Sequence, residues 1–296
     1  MFKEVKILCM VMTHPANHRT KAIHVKNTWG KYCNKLIFMS TIRDVDLESV
    51  ALPVRDGREF LWNKTKNAFK YVFDNHYNDA DWFIKADDDT YMIPENIRFM
   101  LYQYRATTSL YFGHRFCHWK NPSGYIQGGA YILSKKALEK FVTKLMNNES
   151  YCKLGPEGDE DVEIGKCFRH TAISVDERDE KHQKRFFHVG IADHVKKEKD
   201  LGYWYDVSQY FEVAQGSLDC CSDLPVSYHY ATPQELYFLD YLIRHVHPFG
   251  LEKSQTQKLP RKYSLDEIIK ASDADSSAAN FESYSINHEL EDSEKY

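Results

Sequence analysis

Three consecutive acids, Asp87-Asp88-Asp89, directly follow the run Asp81-Trp82-Phe83-Ile84-Lys85-Ala86. If that run is a buried strand, the carboxylates stand at the C-terminal edge of a sheet, where their mutual repulsion calls for a cation. Hard oxygen ligands of this kind suit Mg²⁺ or Mn²⁺. A divalent ion held there can also bridge the phosphates of a nucleotide and neutralise a departing diphosphate. An acidic triplet alone is more often a solvated turn, but the strand before it and Thr90-Tyr91 after it favour a metal site. His229 lies in Ser227-Tyr228-His229-Tyr230, which is apolar at alternate positions. Most histidines in such a place are packed or capped, yet a neutral imidazole is a good Mn²⁺ ligand and can complete a site begun by Asp87 and Asp89.

A second acidic cluster, Asp159-Glu160-Asp161, opens an apolar-periodic stretch ending at Phe168. Carboxylates are favoured at a helix N-terminus by its dipole, which accounts for most such clusters. One of them facing a cavity could instead deprotonate an attacking hydroxyl as a general base. Gly128-Gly129 leaves room for a ligand or another strand to approach the backbone, or marks a bulge. Tyr203-Trp204-Tyr205, with Tyr210 and Phe211, reads as core or as an aromatic face for a sugar.

These groups need elements to hold them. Val5–Met12 is an apolar run ending in Thr13-His14-Pro15, a buried strand that delivers a loop. Ligand loops of α/β sheets sit at such ends. Arg19–Trp29 has helical spacing, and Leu36–Ser40 reads as the next strand, so the chain opens as strand, helix, strand and implies a parallel sheet. Gly57–Tyr77 is a long amphipathic helix, and Pro94 opens another to about Tyr104. Leu110–Gly113 and Gly124–Leu133 read as strands, Ser134–Leu145 as a helix capped by Ser134, Glu160–Phe168 as a helix, and Gln234–Val246 as an apolar helix. From Ser264 the chain turns acidic, with 9 Asp and Glu against 2 Lys in residues 266–296, and reads as a disordered tail outside a domain spanning 1–263.

Composition narrows the classes of partner. A chain of 296 residues with 43% hydrophobic and 14% aromatic content builds a full core, which excludes disorder throughout. The net charge of −4 provides no overall basic field for nucleic acid. Ile7–Met12 is too short to span a bilayer, and it has no basic region and cleavage site like those of a signal peptide. Seven cysteines, including adjacent Cys220-Cys221, nonetheless favour an oxidising compartment. Cys9 is expected to pair with Cys33, Cys220 with Cys221 and Cys152 with Cys167, leaving Cys117 odd.

Several strings in order resemble one family. They are Ile7-Leu8-Cys9, Lys26-Asn27-Thr28-Trp29, Asp81 through Tyr91, Tyr111-Phe112-Gly113, Gly128-Gly129 with Leu133-Ser134-Lys135, Glu160-Asp161, Cys220-Cys221-Ser222-Asp223-Leu224 and Ser227-Tyr228-His229-Tyr230. From about Lys6 to Gly250 the chain resembles the inverting β1,3-galactosyltransferases of the core 1 type, which move galactose from UDP-galactose onto GalNAc linked to Ser or Thr. The resemblance implies a GT-A type nucleotide-diphospho-sugar transferase fold, dependence on Mn²⁺, and residence in the Golgi lumen as a type II membrane protein. The family's membrane anchor has no counterpart in this chain. On matching positions Asp87, Asp89 and His229 bind the metal and Asp161 is the base. Thr13, Lys85 and Asp88 are expected on the donor side, and Gly128, Gly129, Tyr203 and Trp204 on the acceptor side. The expected partners are UDP-galactose and a GalNAc-bearing glycoprotein or peptide, without nucleic acid, and a homodimer stays open. Two competing readings remain: a related β1,3-glycosyltransferase with another donor or acceptor, and an inactive paralogue that only binds UDP-sugars.

Overall fold

The computed structural model describes residues 1–118, 121–190, 194–195, 205, 208–210, 218–248 and 259–273. Ile7–Met12 forms strand β1, with every residue buried. Its side chains alternate between two core clusters, Ile7, Cys9 and Val11 on one face of the sheet and Leu8, Met10 and Met12 on the other. A strand covered on both faces has no polar side, which is why the run reads as continuously apolar. The chain then coils through His18–Ala22 into a short helix, α1 (Ile23–Asn27), and returns as β2 (Lys35–Ser40), parallel to β1. A two-residue strand, β3 (Val50–Ala51), extends the sheet, and α2 (Leu61–His76) leads into β4 (Trp82–Asp87). Strand β4 lies parallel to β1, with Met12 opposite Asp87, so the two strands end at one edge.

Beyond the triplet come β5 (Tyr91–Met92) and α3 (Pro94–Leu101), then a long hairpin of β6 (Leu110–His118) and β7 (Asn121–Ser134). Strand β7 runs antiparallel to β4 with Ala130 opposite Ala86. That register sets Gly128 and Gly129 just past the edge where β4 ends. Ser134 caps α4 (Lys135–Lys140) as expected, its hydroxyl accepting from the Ala137 N–H. Next follow α5 (Glu160–Phe168), β8 (Ile173–Ser174), β9 (Phe186–Phe187), β10 (Ser227–Tyr228) and α6 (Pro233–Arg244). The main sheet has the order β3-β2-β1-β4-β7-β6-β8, and β5-β10-β9 forms a second, small one. The architecture is thus the expected α/β one, a mostly parallel central sheet flanked by helices. Ala22, Val25, Trp29, Ile97 and Met100 cover one face, and Trp62, Phe69, Val72, Phe141, Ile164 and Phe168 the other.

Three disulfides pair the cysteines as anticipated: Cys9 with Cys33, Cys152 with Cys167, and Cys220 with Cys221. Buried Cys117 lies outside these pairs. Among the described residues no helix is long and apolar enough to cross a membrane.

The expected boundary at Ser264 needs correction. A further helix, α7 (Leu265–Asp273), begins there. The Ser264 hydroxyl accepts from the Glu267 N–H at 3.3 Å while the Glu267 carboxylate accepts from the Ser264 N–H at 2.9 Å, a capping box. Ile268 is buried in the main core and the Ser272 hydroxyl donates to the Ser174 carbonyl. Acidic composition hid this docked turn of the chain; residues 274–296 lie outside the described residues. Replacing Ile268 by Ala should cost about 2–5 kcal/mol, whereas Ala at exposed Ile269 should change stability by less than ~0.5 kcal/mol. Thermal unfolding of the two variants checks this, and equal melting temperatures would return α7 to the tail.

Candidate active site

The triplet is fixed before any ligand is considered. Trp29, fully buried, donates its indole N–H to the Thr90 carbonyl at 2.8 Å, and the Thr90 hydroxyl donates to the Gly129 carbonyl at 2.8 Å. The loop leaving β4 is therefore tied to the segment after α1 and to β7. Its three acids diverge. Asp88 turns inward, where its carboxylate accepts from the Thr13 hydroxyl at 2.7 Å and from the Asn17 amide at 3.0 Å. Burial, with the charges of Asp89 and Asp87, pushes the Asp88 carboxyl up to about 6 against those two hydrogen bonds. Asp88 and Thr13 hold each other, so both shape the loop after β1.

Asp87 and Asp89 face His229 instead. Strand β10 pairs antiparallel with β5, Tyr228 opposite Tyr91, and the Ala231 N–H donates to the Asp89 carbonyl at 2.8 Å. This register sets His229 against the triplet, with Nε2 at 3.2 Å from Asp89 Oδ1 and 3.7 Å from Asp87 Oδ2. One ligand atom from each of the three residues lies within 4.8 Å of the others. Two carboxylates and an imidazole form a donor set suited to a divalent cation. The charge the acids demand is supplied in the structure by ammonium groups, Lys21 Nζ at 2.9 Å from Asp89 Oδ2 and Lys85 Nζ at 2.6 Å from Asp87 Oδ1. Burial opposes ionisation of Asp89, but the hydrogen bonds and charges of His229 and Lys21 hold its carboxyl well below the usual carboxylate range.

Lys85 is the only charged residue on β4 before the acids, and its side chain is buried. Besides Asp87 it reaches the Gly128 carbonyl and stands 3.6 Å from the Glu160 carboxylate. Burial disfavours its charge, yet Asp87 and Glu160 keep it an ammonium, with its affinity for the proton raised. Glu160, also buried, accepts in addition from the Tyr131 hydroxyl at 2.5 Å. Its neighbour Asp161 remains partly open. One oxygen of Asp161 accepts from the Gly128 N–H at 3.2 Å, and the other from the Val162 N–H at 2.8 Å. Desolvation, followed by the charge of Glu160, pushes the Asp161 carboxyl up to about 7, against those two N–H groups and Lys85. A carboxylate with that affinity for a proton suits general-base work near neutrality.

The glycine pair is explained by these neighbours. A Cβ on Gly128 would stand 3.0 Å from Glu160 Oε2, and one on Gly129 would stand 2.5 Å from His229 Cγ and Nδ1. Acid and imidazole packed on the strand leave no room for a side chain at either position. Tyr203 and Trp204 lie outside the described residues. A cavity of about 530 Å³ opens beside the ends of β2 and β3, lined by Thr41, Leu52, Val54, Arg55, Phe60 and Asn63 among others. Polar contacts connect it to the triplet: the Thr41 hydroxyl donates to Asp56, which lies 3.4 Å from Lys64 Nζ, and buried Lys64 donates to the Thr13 carbonyl at 2.5 Å.

Residues 2–204 match the Fringe-like family. The chain belongs to that family, and it is a glycosyltransferase. It is similar to the glycoprotein-N-acetylgalactosamine 3-beta-galactosyltransferase 1 of Xenopus laevis, 39% identical over 84% of this chain and 69% of that one. A beta-1,3-glucosyltransferase of Mus musculus is 22% identical over 62% of this chain and 37% of its own length. Among solved structures, the glycosyltransferase GlyE of Streptococcus pneumoniae TIGR4 superposes with a TM-score of 0.37 at 12% identity, covering 61% of this chain and 46% of that one.

The structure thus brings Asp87, Asp89 and His229 together, and joins Asp161 to them through Gly128 and Lys85. It also adds residues that spacing did not reveal: Lys21, Gln127 and His188. Burial pushes the His188 imidazole down to about 3, with the charge of His229 adding to it. Glycine at 129 can be tested directly. Because the His229 N–H is held by the Phe187 carbonyl at 2.8 Å, a methyl group must displace the ring rather than its backbone. Gly129→Ala should weaken divalent-cation binding by about tenfold or more, the scale for disturbed ligand support, whereas Gly128→Ala leaves it near the parent value. Titration of both variants with Mn²⁺ checks the pair.

Proposed function

We propose that the chain transfers galactose from UDP-galactose to the 3-hydroxyl of GalNAc O-linked to Ser or Thr, inverting the anomeric centre. The observation that carries this reading is a juxtaposition: Asp161 and Asp87 are joined through the same two residues, Lys85 and Gly128. A proton acceptor and a cation-holding carboxylate are thereby held at one sheet edge, as a direct displacement requires. The likeness to the Xenopus laevis enzyme supports the transferred sugar, the acceptor and the linkage.

In this reading the donor's nucleoside occupies the cavity beside β2 and β3, and its diphosphate reaches toward Asp87 and Asp89. A divalent cation, Mn²⁺ by the resemblance, supplies Lewis-acid neutralisation of the diphosphate when bound by Asp87, Asp89 and His229. Lys21 sits at the same mouth with a half-exposed ammonium, available to the leaving phosphates once Asp89 is otherwise engaged. Asp161, its two oxygens oriented by the Gly128 and Val162 N–H groups, takes the proton from the acceptor hydroxyl as that oxygen attacks the face opposite UDP. Inversion needs one base and no protein nucleophile. The remaining acceleration comes from holding the two substrates in line. On this reading the sheet is of the GT-A type. The three disulfides support folding in an oxidising compartment, in keeping with the Golgi lumen.

Asp161→Asn should leave UDP affinity in the presence of Mn²⁺ unchanged while kcat falls roughly 10²–10⁴-fold, the usual contribution of a general base. The base must be ionised, so kcat/KM of the parent should fall as pH drops through about 7. That acidic limb should vanish in the residual activity of Asp161→Asn. Asp159→Asn, at an exposed position, serves as the control. Assays with UDP-galactose and a GalNAc-peptide decide it, with UDP-glucose and UDP-GlcNAc as alternative donors. Unchanged turnover in Asp161→Asn would remove the base assignment, and turnover with only another donor would move the chain to a related β1,3-transferase.

A further inference from the structure

His229 has one nitrogen facing the acids and one facing away. On the far side, Nδ1 lies 3.1 Å from Nδ1 of His188, and both rings are buried. The nearest alternative, the Gln127 amide, stands at 3.5 Å, the outer limit of a hydrogen bond. Sheet register makes the histidine pair. Strand β10 pairs parallel with β9, Tyr228 opposite Phe187, so the residues that follow, His229 and His188, emerge side by side. The His188 ring is in turn packed by Phe116 at 5.4 Å and Tyr230 at 5.2 Å between ring centroids. Gly129 lies against the His229 ring and Tyr230 stacks on it at 4.0 Å, which leaves the ring little freedom to swing away.

A neutral imidazole carries one N–H. For Nε2 of His229 to offer its lone pair to a cation, the proton must sit on Nδ1. Two nitrogens 3.1 Å apart can share a single proton, one donating and the other accepting. Metal-bound histidines depend on such an acceptor at the second nitrogen, which fixes tautomer and ring orientation.

We infer that His188 is the positioning residue for His229: its Nδ1 accepts the Nδ1–H of His229 and so presents the Nε2 lone pair to the cation held with Asp87 and Asp89. This rests on the reading of those three residues as a metal site. In this role His188 touches His229 rather than the cation. It acts through the ligand, and its effect belongs to metal affinity before it belongs to turnover.

The test uses the full chain and Mn²⁺ alone, with affinity read from the electron paramagnetic resonance of free Mn²⁺. His188→Phe keeps a ring and removes the acceptor, and should weaken Mn²⁺ binding roughly 10–100-fold. His188→Asn can place an amide oxygen near the lost nitrogen, and should restore affinity to within about threefold of the parent. A purely packing role predicts the reverse order, with Phe tolerated and Asn damaging, and would overturn the inference, as would parent affinity in both variants. Nitrogen-15 spectra of histidine-labelled parent protein loaded with Mg²⁺ provide a second readout that needs no variant to fold. They should show the His229 proton on Nδ1, with a nitrogen–nitrogen coupling to His188 across the hydrogen bond. A proton on Nε2 in the loaded protein contradicts the inference. Failure of the parent to bind Mn²⁺ would instead overturn the metal site, and the role of His188 with it.

Discussion

A single ammonium, that of Lys85, lies between the two halves of the site. Its strand is otherwise apolar up to the triplet, and a lysine in such a strand is tolerated only where opposite charge meets it. Here it meets Asp87 on its own strand, the Gly128 carbonyl on β7 and Glu160 on α5. Without that cation buried Glu160 and half-buried Asp87 would lose their shared counter-charge, and α5 would lose its electrostatic tie to the sheet. Placement of Asp161, one residue on from Glu160, depends on that tie. So does the approach of Gly128, whose N–H orients the Asp161 carboxylate while its carbonyl accepts from Lys85.

The same arrangement separates the acids by function. Asp89 is held as an anion by His229 and Lys21, whereas Asp161, desolvated and next to Glu160, holds a proton more tightly than an ordinary aspartate. On the proposed function, one carboxylate meets a cation and the other takes a proton near neutral pH. Environments that push similar groups apart in this way are how one site can supply both chemistries. Asp88, between Asp87 and Asp89 in sequence, has a third role, fastening the loop after β1 through Thr13 and Asn17.

Much of this was legible in the sequence because it rests on local pattern. The apolar run before the triplet, the Ser134 cap and the helix from Glu160 to Phe168 each carry their signal within a few residues. Contacts set by register do not. That His229 meets Asp89, expected from residue type and from the resemblance, is brought about by pairing between β5 and β10, and that His188 meets His229 by pairing between β9 and β10; all three strands are two residues long and carry almost no signal of their own. The glycine pair was visible as small residues, but its reason, a ring and a carboxylate lying on the strand, needed the folded neighbours. Composition misled at Ser264, where the acidic stretch overshadowed the Ser264-Leu265-Asp266-Glu267 box that starts α7.

The claim that Lys85 binds the two halves together is tested most directly by a double-mutant cycle in thermal and denaturant unfolding. Lys85→Met removes the cation and keeps the length of the stem, Glu160→Gln removes one partner's charge, and the third variant carries both. Lys85→Met alone should destabilise by about 3–5 kcal/mol, as expected when one member of a buried pair is removed. Adding Glu160→Gln should recover part of that loss, giving a coupling of about 1 kcal/mol or more between the two positions. Strictly additive effects would mean that Lys85 and Glu160 are independent, and that α5 holds Asp161 in place without the buried ammonium.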